Sequence, residues 1–275
     1  MSRLSLILFL GISFLGYSLH ALPVLNPAAP ALVKEGVFKC DACDFWGLKL
    51  GYRGDFVFNR HYNVNGTDVA FALFANEGVI ALNMWDRVDI YGFIGSASFN
   101  TEAHPQDPNL GTLFDAFTTR SRTRTIGGLG VKATIWEICW LGHGITYIGI
   151  DAQYEWMGKT SIDKATIQGI NVNTNGVGRS YREGQVSLGV GHKIGTWVPY
   201  IAGKWSNARA NASGQVGAEG SLTPGTVLNL GKYHASSQWG LAVGVSLVDA
   251  KRMLVTAEVR LIDETAMSIA ADFRF

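Results

Sequence analysis

The chain has 275 residues, of which 16% are charged, and its formal net charge is +1. This balance gives no indication of a nucleic-acid partner. Hydrophobic residues make up 47% of the chain, yet beyond the N-terminus no apolar run approaches the roughly 20 residues of a membrane-spanning helix.

The N-terminus predicts a secretory signal peptide. Arg3 supplies a positive flank, and residues 4–19 are nearly all apolar or small. We expect cleavage after Ala21. A retained transmembrane helix is the alternative; it is disfavoured because the apolar core is short and no cluster of stop-transfer charges follows it.

Apolar and polar residues alternate along most of the remaining chain, which is typical of β-strands. The first such stretch starts at Leu48, and the last ends at the C-terminal Phe275. In residues 267–275 the apolar positions are Met267, Ile269, Ala271, Phe273 and Phe275. Around residues 71–84 and 88–99 both faces carry apolar residues, so the alternation is less clear there.

Short and long connections alternate between these predicted strands. Residues 85–87, 195–197 and 249–251 are tight turns, and residues 136–143 form a slightly longer one. Residues 61–67, 100–121, 158–180 and 210–233 are the longer polar stretches, and 263–266 is a short member of that set. This count gives ten strands, or twelve if residues 112–117 and 226–230 also form strands.

Together these patterns predict an all-β fold, a transmembrane antiparallel up-and-down β-barrel of about 10–12 strands. The predicted domains are a signal peptide at 1–21, a periplasmic N-terminal segment at 22–45 and the barrel at 46–275. Tryptophans at the strand ends support this prediction, since their rings favour membrane interfaces. A soluble β-sandwich or barrel is the alternative, but it would need shorter, more frequent strands.

Several segments, in the right order, resemble the chlamydial major outer membrane porin family (MOMP-like). They are residues 22–30 (LPVLNPAAP), 51–58 (GYRGDFVF), 84–90 (MWDRVDI), 135–137 (IWE) followed by Cys139, 198–206 (VPYIAGKWS) and 272–275 (DFRF). The resemblance spans nearly the whole mature chain.

The resemblance implies a porin in the bacterial outer membrane that passes small hydrophilic solutes or ions. It also implies a homotrimer, disulfide-linked envelope partners, contact with outer-membrane lipid and a terminal Phe275 read by the outer-membrane assembly machinery. This sequence departs from the family in being shorter and in having only 3 cysteines. We therefore interpret it as a shortened member.

The cysteines are Cys40, Cys43 and Cys139, all expected on the periplasmic side. A thioredoxin-like site would need a βαβ context, and a zinc site would need further ligands nearby. Disulfide formation suits an oxidising compartment. The odd count favours one internal bond plus one link to another chain, or two or more links to other chains; free thiols are the alternative.

Charged residues on the predicted inward faces are the candidate pore-lining residues. They are Lys49, Arg53, Asp55, Arg122, Arg124, Lys132, Asp151, Glu155, Glu183, Lys193, Lys204, Glu258, Arg260, Asp272 and Arg274. Their mixed signs fit either a weakly selective passage or a lumen filled by ion-pair networks, because barrels of about eight strands are filled by side chains. Arginines at 120, 122 and 124 hint at a mild anion preference.

No catalytic motif such as G-x-S-x-G is present, so we expect no enzyme activity, no cofactor and no metal. The sequence predicts a porin-like barrel for passive diffusion with a structural role in the envelope. A non-conducting structural or adhesive outer-membrane barrel is the alternative, and a barrel hydrolase is a third possibility.

Overall fold

The computed structural model describes residues 22–36, 45–64, 67–103, 117–140, 144–167, 170–173, 178–213, 217–218, 232–249 and 252–275. These ranges contain a short helix, α1 (Ala29–Leu32), and fourteen strands. Within these ranges no helix has the length and hydrophobicity to cross a membrane.

The strands are β1 (Trp46–Val64), β2 (Thr67–Met84), β3 (Val88–Ala103), β4 (Phe117–Ser121), β5 (Arg124–Trp140), β6 (Gly144–Ile167), β7 (Ile170–Asn173), β8 (Gly178–Lys193), β9 (Trp197–Ser213), β10 (Gly217–Ala218), β11 (Lys232–Ala235), β12 (Trp239–Asp249), β13 (Met253–Leu261) and β14 (Glu264–Arg274).

Ten long strands form a closed ring. Each is hydrogen-bonded antiparallel to the next, in the order β1, β2, β3, β5, β6, β8, β9, β12, β13 and β14. The ring closes between β1 and β14, in a register that runs from Lys49 opposite Arg274 to Arg60 opposite Glu264. The prediction of an antiparallel up-and-down β-barrel is thus confirmed.

One end of the barrel is extended beyond what the sequence predicted. β6 alone has 24 residues, whereas a tilted membrane-spanning strand needs about 9–11. The short strands β4, β7 and β11 pair with the long ones at this end, and the two-residue β10 pairs with β7. Residues 61–64 and 158–167, predicted as loops, are therefore strand, because their backbone groups find partners on these neighbours. Residues 112–116 and 226–230 lie outside the described residues.

The other end carries tight turns near residues 85–87 and 195–197, as predicted, whereas residues 136–140, predicted as part of a turn, belong to β5. In the turn between β2 and β3, Trp85 and Asp86 both have a φ of 52°, the left-handed conformation that two-residue hairpin turns require. Between β8 and β9, Gly195 has a φ of 61°. Short turns mark the periplasmic ends of outer-membrane barrels, so we call this end the inner end and the extended end the outer end.

The outward face of the barrel is apolar. On β8, for example, Val186, Leu188 and Val190 are exposed, while Gln185 and Ser187, which alternate with them, are buried. Trp85, Trp136 and Trp197 are exposed near the inner end, and Trp205 and Trp239 are exposed toward the outer end. Such a wall, with aromatic residues at both margins, is the surface that a membrane-spanning barrel presents to lipid.

We expect Leu188→Arg to destabilise the membrane-inserted barrel by about 2–4 kcal/mol, because it places a charge midway along the lipid-facing wall. The free energy of unfolding is measured by denaturant titration of the protein in phospholipid vesicles.

The matched control is Asn211→Arg, which adds the same charge to an exposed position at the outer end of β9. Equal stability of the two variants would contradict a lipid-facing Leu188.

Candidate functional site: the barrel lumen

Most of the predicted pore-lining residues face the interior of the barrel. Those that are both inward-facing and buried are Lys49, Arg53, Asp55, Lys132, Asp151, Glu155, Glu183, Lys204, Glu258, Arg260 and Arg274. Asp272 is half-buried on the same face and lines a cavity described below. Lys193 is half-buried at the inner end of β8.

The prediction was wrong for Arg122 and Arg124, which are exposed and do not face the buried lumen. Arg122 lies between β4 and β5 at the outer end, where its exposed guanidinium donates a 3.1 Å hydrogen bond to the exposed carboxylate of Asp163. Arg124 is also exposed. Arg120 is exposed as well, so the three arginines that hinted at an anion preference do not line the buried lumen.

Arg260 is the centre of the largest group of lumen charges. Its guanidinium binds Asp55 through two hydrogen bonds of 2.8 and 2.9 Å. It also donates a 2.7 Å bond to Glu264 and a 3.4 Å bond to Glu258. All four side chains are fully buried, so each charge is stabilised by its neighbours instead of by water.

A second group lies beside it, toward the outer end. Lys204 forms ion pairs with Asp263, at 2.9 Å, and with Glu264. Arg60 donates hydrogen bonds of 3.0 and 2.9 Å to Glu183. Asp263 lies in the turn before β14, where burial and the neighbouring Glu264 raise the pKa of its carboxyl. Glu264 thus links the second group to Arg260.

The third group surrounds Arg53, which lies on β1 two residues before Asp55 and contacts side chains of β2 and β6. This guanidinium is paired with Glu77, lies 3.6 Å from Glu155 and donates a 3.2 Å hydrogen bond to Gln153. It also stacks over the ring of Phe93, 3.6 Å from its centroid. Cations and anions therefore alternate across the lumen, so the network is held together by pairs of opposite charge.

Sequence analysis missed several members of these groups. They are Arg60, Glu77, Gln153, Asp263 and Glu264. The register between β1 and β14 shifts between Val57 and Asn59, and this irregularity turns Arg60 inward although strict alternation places it outward. Glu77 lies in a strand with apolar residues on both faces, so alternation carried no signal for it.

An apolar cluster fills the lumen toward the outer end. Its aromatic members include Tyr62, Phe71, Phe99 and Tyr181, whose rings are in contact along a chain. All are at most 2% exposed. This part of the lumen is therefore packed like a protein core.

The N-terminal segment occupies the lumen toward the inner end. We call residues 22–33 the luminal segment; they include α1 and, except for the half-buried Leu25, are buried. Glu258 accepts hydrogen bonds from the backbone N–H groups of Val24, at 3.0 Å, and Leu25, at 2.7 Å. Lys132 donates to the carbonyl of Val24 at 3.1 Å, and Gln153 donates to that of Pro23 at 2.6 Å.

Further wall residues continue this pattern along the segment. Lys49 donates to the carbonyl of Ala29 at 3.3 Å, and Arg274 donates to that of Val33 at 3.0 Å. A side chain at Gly149 would collide with the backbone carbonyl of Pro27, so the absence of a side chain there permits the close approach. The wall charges thus serve as partners for the segment's backbone.

This placement differs from the expectation for residues 22–45. Residues 22–45 were expected in the periplasm, but the luminal segment lies inside the barrel. The inward wall offers donors and acceptors for its backbone and an apolar lining for Leu32 and Val33. Sequence alternation cannot reveal what fills a lumen. Residues 37–44 lie outside the described residues.

A cavity of about 40 Å³ remains between the luminal segment and the wall. It is lined by Pro23, Leu25, Lys49, Arg53 and Asp272, among others. That volume is enough for water, which such a polar site can hold through several hydrogen bonds. Within the described ranges no group of His, Cys, Asp and Glu side chains is arranged to hold a metal ion.

The remaining predicted residues lie at the inner end or outside the described residues. Cys40 and Cys43 fall outside. Cys139 is exposed near the end of β5. Phe275 is exposed, and its backbone N–H donates to the carbonyl of Leu48 on β1, so it completes the pairing at the closure of the ring.

A closed antiparallel ring with an apolar exterior, aromatic margins and a charged interior defines an outer-membrane β-barrel of the porin type. The family model of the Chlamydia major outer membrane protein matches residues 3–72 and 214–275.

Two similar relatives are named major outer membrane porins. The porin of Chlamydia trachomatis serovar L1 is 26% identical over an alignment 378 positions long, gaps included, which covers 94% of this chain and 95% of that porin. The porin of Chlamydia muridarum is 26% identical over an alignment of 397 positions, which covers 94% of this chain and 96% of that porin. This chain is therefore similar over nearly its whole length to chlamydial major outer membrane porins, and it resides in the outer membrane.

Solved structures of other barrels are also similar. The outer membrane protease OmpT from Escherichia coli has a TM-score of 0.40 and 10% identity, covering 84% of this chain and 96% of that one. The translocator domain of the autotransporter NalP from Neisseria meningitidis has a TM-score of 0.40 and 9% identity, covering 83% and 89%.

We expect Arg260→Met to destabilise the barrel by about 3–5 kcal/mol, because it removes the guanidinium that donates two hydrogen bonds to the buried carboxylate of Asp55. The change is measured by urea titration of the vesicle-inserted protein.

Arg122→Met is the control, since it removes an exposed arginine from an exposed ion pair and should cost less than about 1 kcal/mol. A similarly small loss for Arg260→Met would show that the lumen network contributes little to stability.

Proposed function

We propose that this chain is a porin of restricted conductance, which lets small hydrophilic solutes or ions diffuse across the outer membrane. The observation that carries the proposal is the inward wall, on which charges of both signs line the middle and inner parts of the lumen. A polar lumen inside an apolar exterior is the arrangement that a diffusion channel needs. The names of the relatives support the same function.

The described arrangement is the closed state of this proposed channel. The luminal segment is held by hydrogen bonds to wall side chains such as Glu258 and Lys132, and within the described residues it forms no strand of the sheet. It can therefore leave the lumen without breaking the ring. Conduction also requires the apolar cluster at the outer end to rearrange.

A second candidate is the non-conducting structural or adhesive barrel. The specific observation in its favour is the filled lumen, with the luminal segment at the inner end and the apolar cluster around Phe71 and Phe99 at the outer end. Rings of about eight strands are filled by side chains, whereas wide channels have about sixteen strands. Ten strands are closer to the first group.

The proposed function includes no catalytic activity.

We also propose partners for the chain. As the family resemblance implies, it forms a homotrimer, and Phe275 is read by the outer-membrane assembly machinery. Cys139 is exposed at the inner end, where it can form a disulfide with another envelope protein in an oxidising compartment.

We expect the full-length protein in planar bilayers to show infrequent small openings. Replacing residues 22–33 with a Gly-Ser segment of equal length should make openings at least several-fold more frequent, because it removes the wall contacts of the luminal segment. Single-channel recording measures both.

The control is a Gly-Ser replacement of residues 34–36, which lie beside the luminal segment and are half-buried or exposed; it should leave the opening frequency unchanged. If wild type and the variant with residues 22–33 replaced are both silent at every potential, the porin proposal fails and the structural barrel is favoured.

We expect Cys139→Ser to remove at least one disulfide-linked species of the chain from non-reducing gels of envelope fractions. Ser246→Cys, which places a thiol on the buried inward wall, is a control that should add none. A wild-type chain that migrates only as a monomer would contradict the proposed envelope links.

A further inference from the structure

A row of exposed residues crosses the outward face near the outer end. Arg182 on β8 lies directly opposite Trp156 on β6 and Arg209 on β9. Arg209 in turn lies opposite His234 on β11. All four side chains are exposed, so the row presents two arginines and a histidine side by side on neighbouring strands.

The two arginines form a like-charge pair. Residues directly opposite on antiparallel strands have Cβ atoms about 4.5–5.5 Å apart, and like charges in such pairs destabilise a sheet. Within the described residues, neither guanidinium is within ion-pair distance of a carboxylate; Arg209 donates only to the amide oxygen of Asn207, at 3.1 Å. An external anion between the two would convert their repulsion into attraction.

The height of the row on the barrel indicates the source of that anion. Trp205 and Trp239, opposite each other on β9 and β12, mark the outer margin of the apolar wall, and the indole N–H of Trp205 donates to Gln238 at 3.1 Å. Arg209 lies four residues beyond Trp205, about 13 Å further along the strand. This is the level of lipid headgroups, just above the acyl chains.

We propose that Arg182 and Arg209 bind a phosphate group on the headgroup of an outer-leaflet glycolipid, whose acyl chains lie on the apolar wall below. Guanidinium groups bind phosphate oxygens through paired, charge-assisted hydrogen bonds. Trp156 closes one side of the site and offers its ring to the lipid at the interface. The surface is continuous with the lipid-facing wall, which favours a lipid over a soluble anion.

The test uses the full-length protein in neutral detergent, titrated with bisphosphorylated lipid A and, separately, with fully dephosphorylated lipid A. Native mass spectrometry reports the bound fraction. We expect wild type to bind the phosphorylated lipid at least tenfold more tightly than the dephosphorylated one. Arg182→Gln/Arg209→Gln should abolish this preference, and heat-modifiable migration on gels verifies that the variant has folded.

Arg122→Gln/Arg124→Gln is the matched control, because it removes two exposed arginines from the outer end on the other side of β6. It should change the dissociation constant less than twofold. A wild type that binds both lipids alike, or a control that loses as much affinity as the test variant, would overturn the proposal.

Two measurements on wild type alone keep the proposal testable if the double variant does not fold. Binding of the phosphorylated lipid should weaken as salt is raised, because the contacts are solvent-exposed. Inorganic phosphate at millimolar concentration should not displace the lipid; full displacement would indicate a site for soluble anions and would contradict the lipid assignment.

Discussion

The structure depends on the need to pair every backbone N–H and C=O group that meets hydrocarbon. An open sheet would leave the edges of β1 and β14 unpaired. The register between these strands removes both edges, with a long run of pairs from Lys49 to Arg60 on the β1 side. Once the ring is closed, the two-residue period of a strand sends alternate side chains to lipid and to the lumen. The exterior and the interior follow from that closure.

The closed ring also determines how its interior must be composed. Ten strands enclose a space that side chains can nearly span, so inward-facing charges meet each other and not bulk water. Arg260 with Asp55, Arg60 with Glu183 and Arg53 with Glu77 are the result. A buried charge that lacks a partner is costly, so the lumen contains cations and anions in contact, with the luminal segment as a further partner for the wall.

The two ends of the barrel differ in the length of their connections and in how far the strands extend. At the inner end, turns are tight, and the luminal segment meets the wall there. At the outer end, the strands continue past the membrane because short strands such as β4 and β11 pair with them. This extension raises side chains such as Arg182 and Arg209 to the level of lipid headgroups. The same strands therefore present apolar side chains to the acyl chains along their middle and polar side chains to the headgroups at their outer ends.

Much of the fold was predictable from sequence because alternation is a local property. The strand of residues 267–275, the tight turn at 85–87 and the inward faces of β6 and β13 were all read from residue spacing alone. Prediction failed where alternation is broken or uninformative. The irregularity near Val57 reversed the expected face of Arg60, and apolar residues on both faces of β2 concealed Glu77.

The sequence by itself therefore determined the class of fold, the lipid-facing side and most of the charged wall, since each depends on the period of a single strand. Only the tertiary structure decided which charges pair, that residues 22–33 fill the lumen, and that Arg182 and Arg209 stand side by side. These features join residues far apart in the chain, and they depend on register, ring size and sheet closure, none of which is encoded in the pattern of one strand.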